Sequence, residues 1–514
     1  MHKNVYIKNV QALREIFKIP QSVLEDGEKE NNLEIKDTPS GFPSLSVNGR
    51  FIHSSRDPAK EANRLVEAAI ENSNGENFFF VLLGFGLGYA AKAAATAKPG
   101  CTLLIIEKRP SVFRAALEQA DWSEFFKQNR VILMLGPRPE AVFTALNAAS
   151  AGGNGGGDFC KKAVVVKNRV QTALDEDFYS DVEKNIAVWR NKNAVNLATA
   201  AKFSKRWTRN LQANMNAFQN VAGVDRFFDV LTKENGGAFP ILLLAAGPSL
   251  DKIAPYMSEL QKRFIITAVD TASAFLRRAG VESDFLVSAD PQYWNSRHLD
   301  NALNSKKTAY IFDLAVYPTV LRPFLQKNSL ARVFCYSSNI PQAAALEERF
   351  GKKGVLAAGG SVATTAWDFC RRLQESLDAR ASILFICALD LAYPSLKTHY
   401  KGSFFEERSH CASNRLYPAS FAYFRAMHAL PVFLADGAAG AQVYTDARLN
   451  LYAGWFEDAM RRNQRVKCGG LFMQGLLIKG LNPVSLEEAL AKPVLRPQID
   501  DFLDGAFKKI KCEK

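Results

Sequence analysis

Residues 241–250 read ILLLAAGPSL. Ile241 to Ala245 form an apolar run long enough for a buried strand. Gly247-Pro248-Ser249 break it, and a helical pattern begins at Asp251. A strand that ends in a tight glycine turn at a helix start gathers backbone N–H groups at one spot. The helix dipole adds positive potential there, so the spot suits a phosphate or a carboxylate. A short glycine turn is weakly specific, and an ordinary strand–turn–helix connection reads the same way. What surrounds the turn therefore decides.

Outward from it the pattern recurs. Phe264–Val269 is an apolar run that ends at Asp270-Thr271. Phe285–Ala289 ends at Asp290-Pro291, and Tyr310–Asp313 and Val333–Tyr336 are further strand candidates. Val355–Ala358 leads into Gly359-Gly360-Ser361 and then a helix. Ile383–Ala388 ends at Asp390-Leu391-Ala392-Tyr393. Strands alternating with helices of this length predict a doubly wound parallel sheet. Such sheets bind ligands beyond the carboxyl ends of their strands. Ser249, Asp270, Asp290, Ser361, Asp390 and Tyr393 each follow an apolar run, which is a binding-site pattern when several strands share it. His399 and His410 lie on the chain leaving the same edge. Histidine is the natural general base near neutral pH. The three aspartates are also read as Asx caps or as ligands of a Mg²⁺ ion holding phosphates. No Walker A motif is present.

A first α/β unit precedes this one. Phe78–Leu83 is a strand, Gly84-Phe85-Gly86-Leu87-Gly88 a turn, and Thr102–Ile106 a second strand ending at Glu107. An acid in that place often binds ribose hydroxyls, and the turn would also suit S-adenosylmethionine. The favoured reading is a nucleotide-type fold used as scaffold. Before it, Ser44–Ile52 reads as a hairpin with Asn48-Gly49 as its turn, and Asp57-Pro58 starts a helix. Ala148–Asp158 reads as a flexible loop, and Val170 to Asn216 as long helix. The aromatics Phe421, Tyr423, Phe424, Trp455 and Phe456 read as helix-packing core. The expected fold class is α/β: two Rossmann-like doubly wound parallel-sheet units joined by a long helical segment, with a mostly helical C-terminal region. Boundaries fall at 1–75 for a leader region, 76–215 for the first unit with trailing helices, 216–402 for the central domain and 403–514 for the C-terminal region.

Composition bounds the rest. The 514 residues are 47% hydrophobic and 23% charged, which is globular. The net charge of +13 favours anionic substrates, but the basic residues are dispersed and no nucleic-acid signature occurs. The eight cysteines form no CxxC and sit mostly in apolar surroundings, as in a reducing cytoplasm. No apolar run reaches the length of a membrane span, and no secretion signal is expected.

The blocks LLLAAGPSLDKI (242–253), FIITAVDTASAFLRRAGVESDFLVSADP (264–291), AAGGSVATTAWDFC (357–370) and ICALDLAYPSLKTHYKG (386–402) resemble, in order, those of the motility accessory factor (Maf) family of flagellin glycosyltransferases. LSVNGRFIHSSRDPAKEANRLVE (45–67) and VLLGFGLGYAAKAAATAKPGCTLLIIEKRP (81–110) extend the resemblance upstream. That family's central domain is similar to bacterial sialyltransferases that use CMP-activated sugars, and to an archaeal pterin diphosphokinase. The resemblance implies transfer of a nonulosonic acid, of pseudaminic or legionaminic type, from a CMP donor to Ser/Thr of flagellin in the cytoplasm. It implies a nucleotide-sugar site of Gly247, Pro248, Ser249, Asp270, Thr271, Asp290, Gly359, Gly360, Ser361 and Asp390. His399 would be the base and Tyr393 would steady the departing phosphate. No cofactor is required on this reading, although carboxylates leave room for Mg²⁺. The sialyltransferases typically have Asn where this chain has Ala246, Asp270 and Asp290. The alternatives are a Mg²⁺-dependent diphosphokinase of a pterin-like molecule, a non-catalytic flagellin-binding protein, and methyl transfer at Gly84–Gly88.

Overall fold

A computed structural model describes residues 2–18, 32–73, 78–139, 141–150, 162–234, 237–300, 305, 307–326, 332–338, 347, 351–377 and 383–512. Most of the glycine-rich loop expected at 148–158 lies outside them. The chain forms two compact units, 1–201 and 202–514.

In the first unit, strands β1 (Leu33–Lys36), β2 (Ser44–Val47) and β3 (Arg50–Phe51) form an antiparallel sheet. Its β2–β3 turn is Asn48-Gly49, both at positive φ (49° and 75°), the geometry the dipeptide predicts. Asp57 caps the helix Pro58–Glu71 by accepting the Lys60 N–H, with proline in its first turn. Strands β4 (Phe78–Leu83), β5 (Leu103–Glu107), β6 (Val131–Leu135) and β7 (Lys162–Lys167) form a parallel sheet in the order β6-β5-β4-β7. β4 is apolar throughout because both its faces are covered. Phe78, Phe80 and Leu82 enter one core, and Phe79, Val81 and Leu83 the other. The helix His2–Phe17 contributes Leu13 to the first of these cores. The leader is therefore part of this unit.

In the second unit, β8 (Ala222–Gly223), β9 (Ile241–Leu244), β10 (Ile265–Val269), β11 (Phe285–Ser288), β12 (Ala309–Asp313), β13 (Val333–Tyr336), β14 (Ile383–Cys387), β17 (Lys467–Leu471) and β18 (Leu481–Pro483) form one sheet. Its order is β18-β17-β14-β9-β10-β11-β12-β13-β8, parallel throughout. The helix Val362–Ser376 covers one face through Trp367, Phe369 and Leu373. On the other face, Leu211 and Phe218 of the helix Glu176–Gln219 join Leu286, Tyr310 and Phe312. The region 403–514 is mostly helical, as expected. It also supplies β17 and β18 and the antiparallel hairpin β15 (Val432–Asp436) and β16 (Gln442–Asp446). Trp455 and Phe456 are buried as expected, but Phe421 and Phe424 are exposed. Among the described residues no helix is long and apolar enough to cross a membrane.

The chain runs from β9 through β13 in one direction, then returns to the other side of β9 with β14. The strand order reverses between β9 and β14, so the crevice beyond their carboxyl ends is where this architecture places ligands.

Candidate active site

The 247–249 turn stands at that crevice. Parallel pairing between β9 and β14 continues past the strands: the Ala245 N–H donates to the Cys387 carbonyl at 2.9 Å, and the Gly247 N–H to that of Ala388 at 3.0 Å. A side chain on Gly247 would collide with Asp390 and the Ala388 carbonyl, which is why glycine is needed there. Pro248–Lys252 then forms a 3₁₀ turn rather than an α-helix. The anion at the turn is one of the chain's own. Asp390 accepts the Ser249 N–H at 2.8 Å and the Ser249 hydroxyl at 2.7 Å. Ser249 therefore has no donor left for a phosphate. This corrects its expected direct role: it locks Asp390, and through it the loop after β14, against the turn. Burial pushes the Asp390 carboxyl up, while the Ser249 hydrogen bonds and Lys252 hold it back.

That loop is unusually shaped. Ala388, Leu391, Ser395 and Leu396 all sit at positive φ, between 47° and 62°. Side-chain-bearing residues adopt this region at a cost, and such clusters concentrate at functional sites. The loop is held by its surroundings. The Leu476 N–H donates to the Asp390 carbonyl at 2.8 Å, the Tyr393 N–H to Tyr444 O at 2.8 Å, and the Thr445 hydroxyl to Leu391 O at 3.0 Å.

Asp270 ends β10 and is buried. Its carboxylate accepts the Ser288 hydroxyl at 2.8 Å and the Thr271 N–H at 2.7 Å. Burial pushes it up to about 7; the Ser288 and Thr271 hydrogen bonds pull back, and the neighbouring Asp290 pushes further. Asp290, also pushed up by burial, accepts the Gln292 N–H at 2.9 Å and feels Arg206. Asn295 braces the end of β11, donating to Ser288 Oγ at 2.8 Å and to Asp290 O at 2.9 Å. Asp313, at the end of β12, is a further buried carboxyl at this edge, pushed up to about 6 by burial. It accepts the Ala315 N–H at 2.7 Å and the Ser338 hydroxyl. Asn210 clamps the rim, donating to Pro291 O at 2.9 Å and Ala315 O at 3.0 Å.

The segment carrying His399 folds back over this edge. The Tyr400 hydroxyl donates to Thr271 O at 2.9 Å, and the Tyr400 N–H to Ala246 O at 3.4 Å. The His399 ring stacks on Phe405 at 4.3 Å, and its Nδ1 lies 3.0 Å from the Thr398 hydroxyl. Burial, then His298 and Arg448, hold its imidazole down at about 3, so it is neutral at physiological pH. His298 packs on the same Phe405 ring at 5.0 Å and is itself held down at about 4 by burial. His410 is elsewhere: it is exposed on the helix Phe404–Cys411, against the Tyr423 hydroxyl at 3.1 Å. Of the two histidines, His399 is the one at the edge.

Tyr393 is buried, and its hydroxyl donates to Asp446 at 2.6 Å. The expected role of steadying a phosphate does not suit a hydroxyl committed in this way. Tyr393 braces Asp446, which caps the helix Ala447–Arg462 by accepting the Leu449 N–H at 2.8 Å. The cation in this corner is Arg448, half exposed and 3.3 Å from Asp446. Gly359, Gly360 and Ser361 pack against the same helix. Side chains on the two glycines would strike Trp455 and Tyr452, and Gly360 has a φ of 91°. Ser361 caps the helix Val362–Ser376 through the Ala363 N–H at 3.3 Å.

The carboxylates at this edge are engaged by the chain itself. Asp390 is spent on Ser249 and Asp270 on Ser288 and Thr271. Among the described residues no group of three or more His, Cys, Asp or Glu is placed to hold an ion. Sequence reasoning passed over Asp313, Asn295, His298 and Arg448. Asp313 carried the same signal as its neighbours, an acid at a strand end. Arg448 had none, because β16 and its helix lie far along the chain.

The first unit's glycine turn is also filled from within. Glu107 is fully buried, and its carboxylate accepts the Phe85 N–H at 2.8 Å, the Arg109 N–H at 2.9 Å and the Gln171 amide at 2.5 Å. Burial pushes it up to about 6. Its carboxylate is therefore committed within the unit rather than open to a ribose.

Residues 209–396 match the family model described as 6-hydroxymethylpterin diphosphokinase MptE-like. Two uncharacterized proteins of Treponema pallidum (strain Nichols) are similar. One is 32% identical over 235 residues, covering 41% of this chain and 58% of that one. The other is 23% identical over 247 residues, covering 47% and 40%. The chain thus spans about half the length of the curated relatives it matches. The structure of a MAf glycosyltransferase from Magnetospirillum magneticum AMB-1 superposes with a TM-score of 0.57 over 99% of this chain and 78% of that one, at 14% identity. The α/β fold expected from the sequence is therefore that of a solved Maf glycosyltransferase.

Proposed function

We propose that the chain is a CMP-sugar-dependent glycosyltransferase that moves a nonulosonic acid to Ser/Thr hydroxyls of flagellin in the cytoplasm. The observation that carries this reading is the convergence at the β9/β14 switch point. The 247–249 turn, the locked Asp390 loop, the Asp270–Thr271 strand end and the His399 segment all meet there. The Maf glycosyltransferase fold supports the class of reaction. The donor sugar and the acceptor rest on the sequence resemblance.

On this reading the strand-end groups orient the nucleotide, and Asp270, whose carboxyl burial pushes up to about 7, presents a donor or an acceptor to it according to its protonation. In the tautomer whose Nδ1–H donates to the Thr398 hydroxyl, Nε2 is left to take the proton of the acceptor hydroxyl. The acceptor oxygen then attacks the anomeric carbon. The bond from that carbon to the CMP phosphate breaks, and CMP leaves with the electron pair. An imidazole held near 3 is a weak base. The negative charge of a bound donor raises it toward the useful range. Arg448 replaces Tyr393 as the group that neutralises the departing phosphate.

A second reading, diphosphokinase activity on a pterin-like molecule with ATP and Mg²⁺, is favoured by the match over 209–396. On that reading the bound phosphates would supply most of the Mg²⁺ ligands, since among the described residues no group of three or more His, Cys, Asp or Glu is gathered. Calorimetric titration separates the two. CMP binding without Mg²⁺ supports the transferase. ATP binding that needs Mg²⁺, with none for CMP, supports the kinase. Flagellin bound with neither nucleotide leaves only a flagellin-binding protein.

A further inference from the structure

The first unit has a switch point of its own. Its chain runs β4, β5, β6 in one direction and returns to the other side of β4 with β7. At the carboxyl ends of β4 and β7 lies a cavity of about 80 Å³, walled by Gly84 and Phe85 after β4, by Asn168 and Arg169 after β7, and by His53 and Glu61. Nucleotide pockets run to several hundred Å³, so this one suits a molecule of a few non-hydrogen atoms.

Its polar groups are specific. His53 is only 8% exposed. Its Nε2 accepts the Leu87 N–H at 2.8 Å, which fixes the tautomer with the proton on Nδ1. That Nδ1–H has no partner among the described residues, and the ring lines the cavity. A donor at a cavity wall is a place where an acceptor can dock. Glu61 accepts the Ser54 N–H at 2.7 Å on Oε2, and Arg169, an exposed residue after β7, forms no ion pair among the described residues. The backbone donors of the 84–88 turn are already taken: Phe85 by Glu107 and Leu87 by His53. Among the lining residues the side chains offer one carboxylate, one guanidinium and one neutral N–H donor. Leu65, Phe85 and Val166 supply apolar wall. Balanced charge, a free donor and small volume select a zwitterion.

We propose that this cavity binds a small α-amino acid, its carboxylate toward His53 and Arg169 and its ammonium toward Glu61. The glycine turn that Glu107 engages would thereby be part of a small-molecule sensor site, separate from the 202–514 unit's chemistry.

Equilibrium dialysis of the full chain against radiolabelled L-alanine and glycine tests this. The expected result is saturable binding of one molecule per chain, weakened about tenfold or more in Glu61→Gln and in Arg169→Gln. Glutamine at 61 still accepts the Ser54 N–H, so that variant folds. His53→Ala would remove the Leu87 acceptor as well and is not used. Acetate alone and methylammonium alone should fail to displace the label. No saturable binding up to roughly 10 mM overturns the proposal. So does unchanged binding in Glu61→Gln, and so does full displacement by acetate, which would show a simple anion site.

Discussion

Asp270→Asn is expected to make the 202–514 unit more stable, and by an amount that depends on pH. Asp270 is 1% exposed, and its carboxyl stands at about 7 rather than its ordinary 3.8. A folded value raised above the unfolded one means the folded state binds the proton more tightly. That contribution is fully present below about pH 4 and is lost as pH rises toward 7. The span corresponds to on the order of 4 kcal/mol, the cost of holding the buried carboxyl ionised. Asparagine keeps the hydrogen bonds. Its carbonyl accepts the Thr271 N–H, its amide donates to Ser288 Oγ, and the Ser288 hydroxyl turns to the Asn295 carbonyl that it already contacts at 3.0 Å. The variant should match the wild type near pH 4 and exceed it by a few kcal/mol at pH 8. Urea unfolding at both pH values, followed by hydrogen exchange of the β10 amides, measures the difference. A variant less stable at pH 8, or a gap that is the same at both pH values, would refute the reasoning.

Asp390→Ala should destabilise the 202–514 unit by about 2–5 kcal/mol, because it strands the buried Ser249 N–H and hydroxyl. Asp390→Asn should cost under about 1 kcal/mol, since its amide can reverse the Ser249 hydroxyl bond; equal losses in denaturant melts would contradict the lock. His399→Gln should lower kcat by about 10²–10⁴ while leaving CMP affinity unchanged, and a matching loss of affinity in calorimetry would make it a binding residue. Arg448→Ala should weaken CMP binding about tenfold with the fold intact, whereas Tyr393→Phe should leave CMP affinity unchanged and loosen the helix Ala447–Arg462 in hydrogen exchange. Glu107→Gln should destabilise the 1–201 unit by about 1–3 kcal/mol, because an amide cannot accept from every donor that surrounds the carboxylate.

The strands were legible because each buried one is a short apolar run that ends in a polar residue. This located β4, β5, β7, β9 to β14 and their shared edge. β8 was not, since Ala222–Gly223 has no apolar pattern of its own and is a strand only because β13 offers an edge. The Asn48-Gly49 hairpin and the Asp57-Pro58 cap were legible because their chemistry is local. The self-filling of both glycine turns was not. Asp390 meets Ser249 across 141 residues of chain, and Glu107 meets Gln171 across 64. A turn that collects N–H donors announces an anion, but not whether the chain supplies it. The same holds for Tyr393, whose partner Asp446 ends a hairpin 53 residues further on, with no local pattern to link the two. The apolar side chains Phe421 and Phe424 read as core from helical spacing, yet the short helix Ala419–Met427 has little structure over it. Spacing identifies an apolar face and not what covers it.

Hydrogen exchange of the full chain with and without CMP tests the central claim most directly. CMP, without Mg²⁺, is predicted to protect amides in 246–250, 270–272 and 390–400, and to leave 84–88 unchanged. Protection at 84–88 instead, or none in the 202–514 unit at saturating CMP, would contradict it.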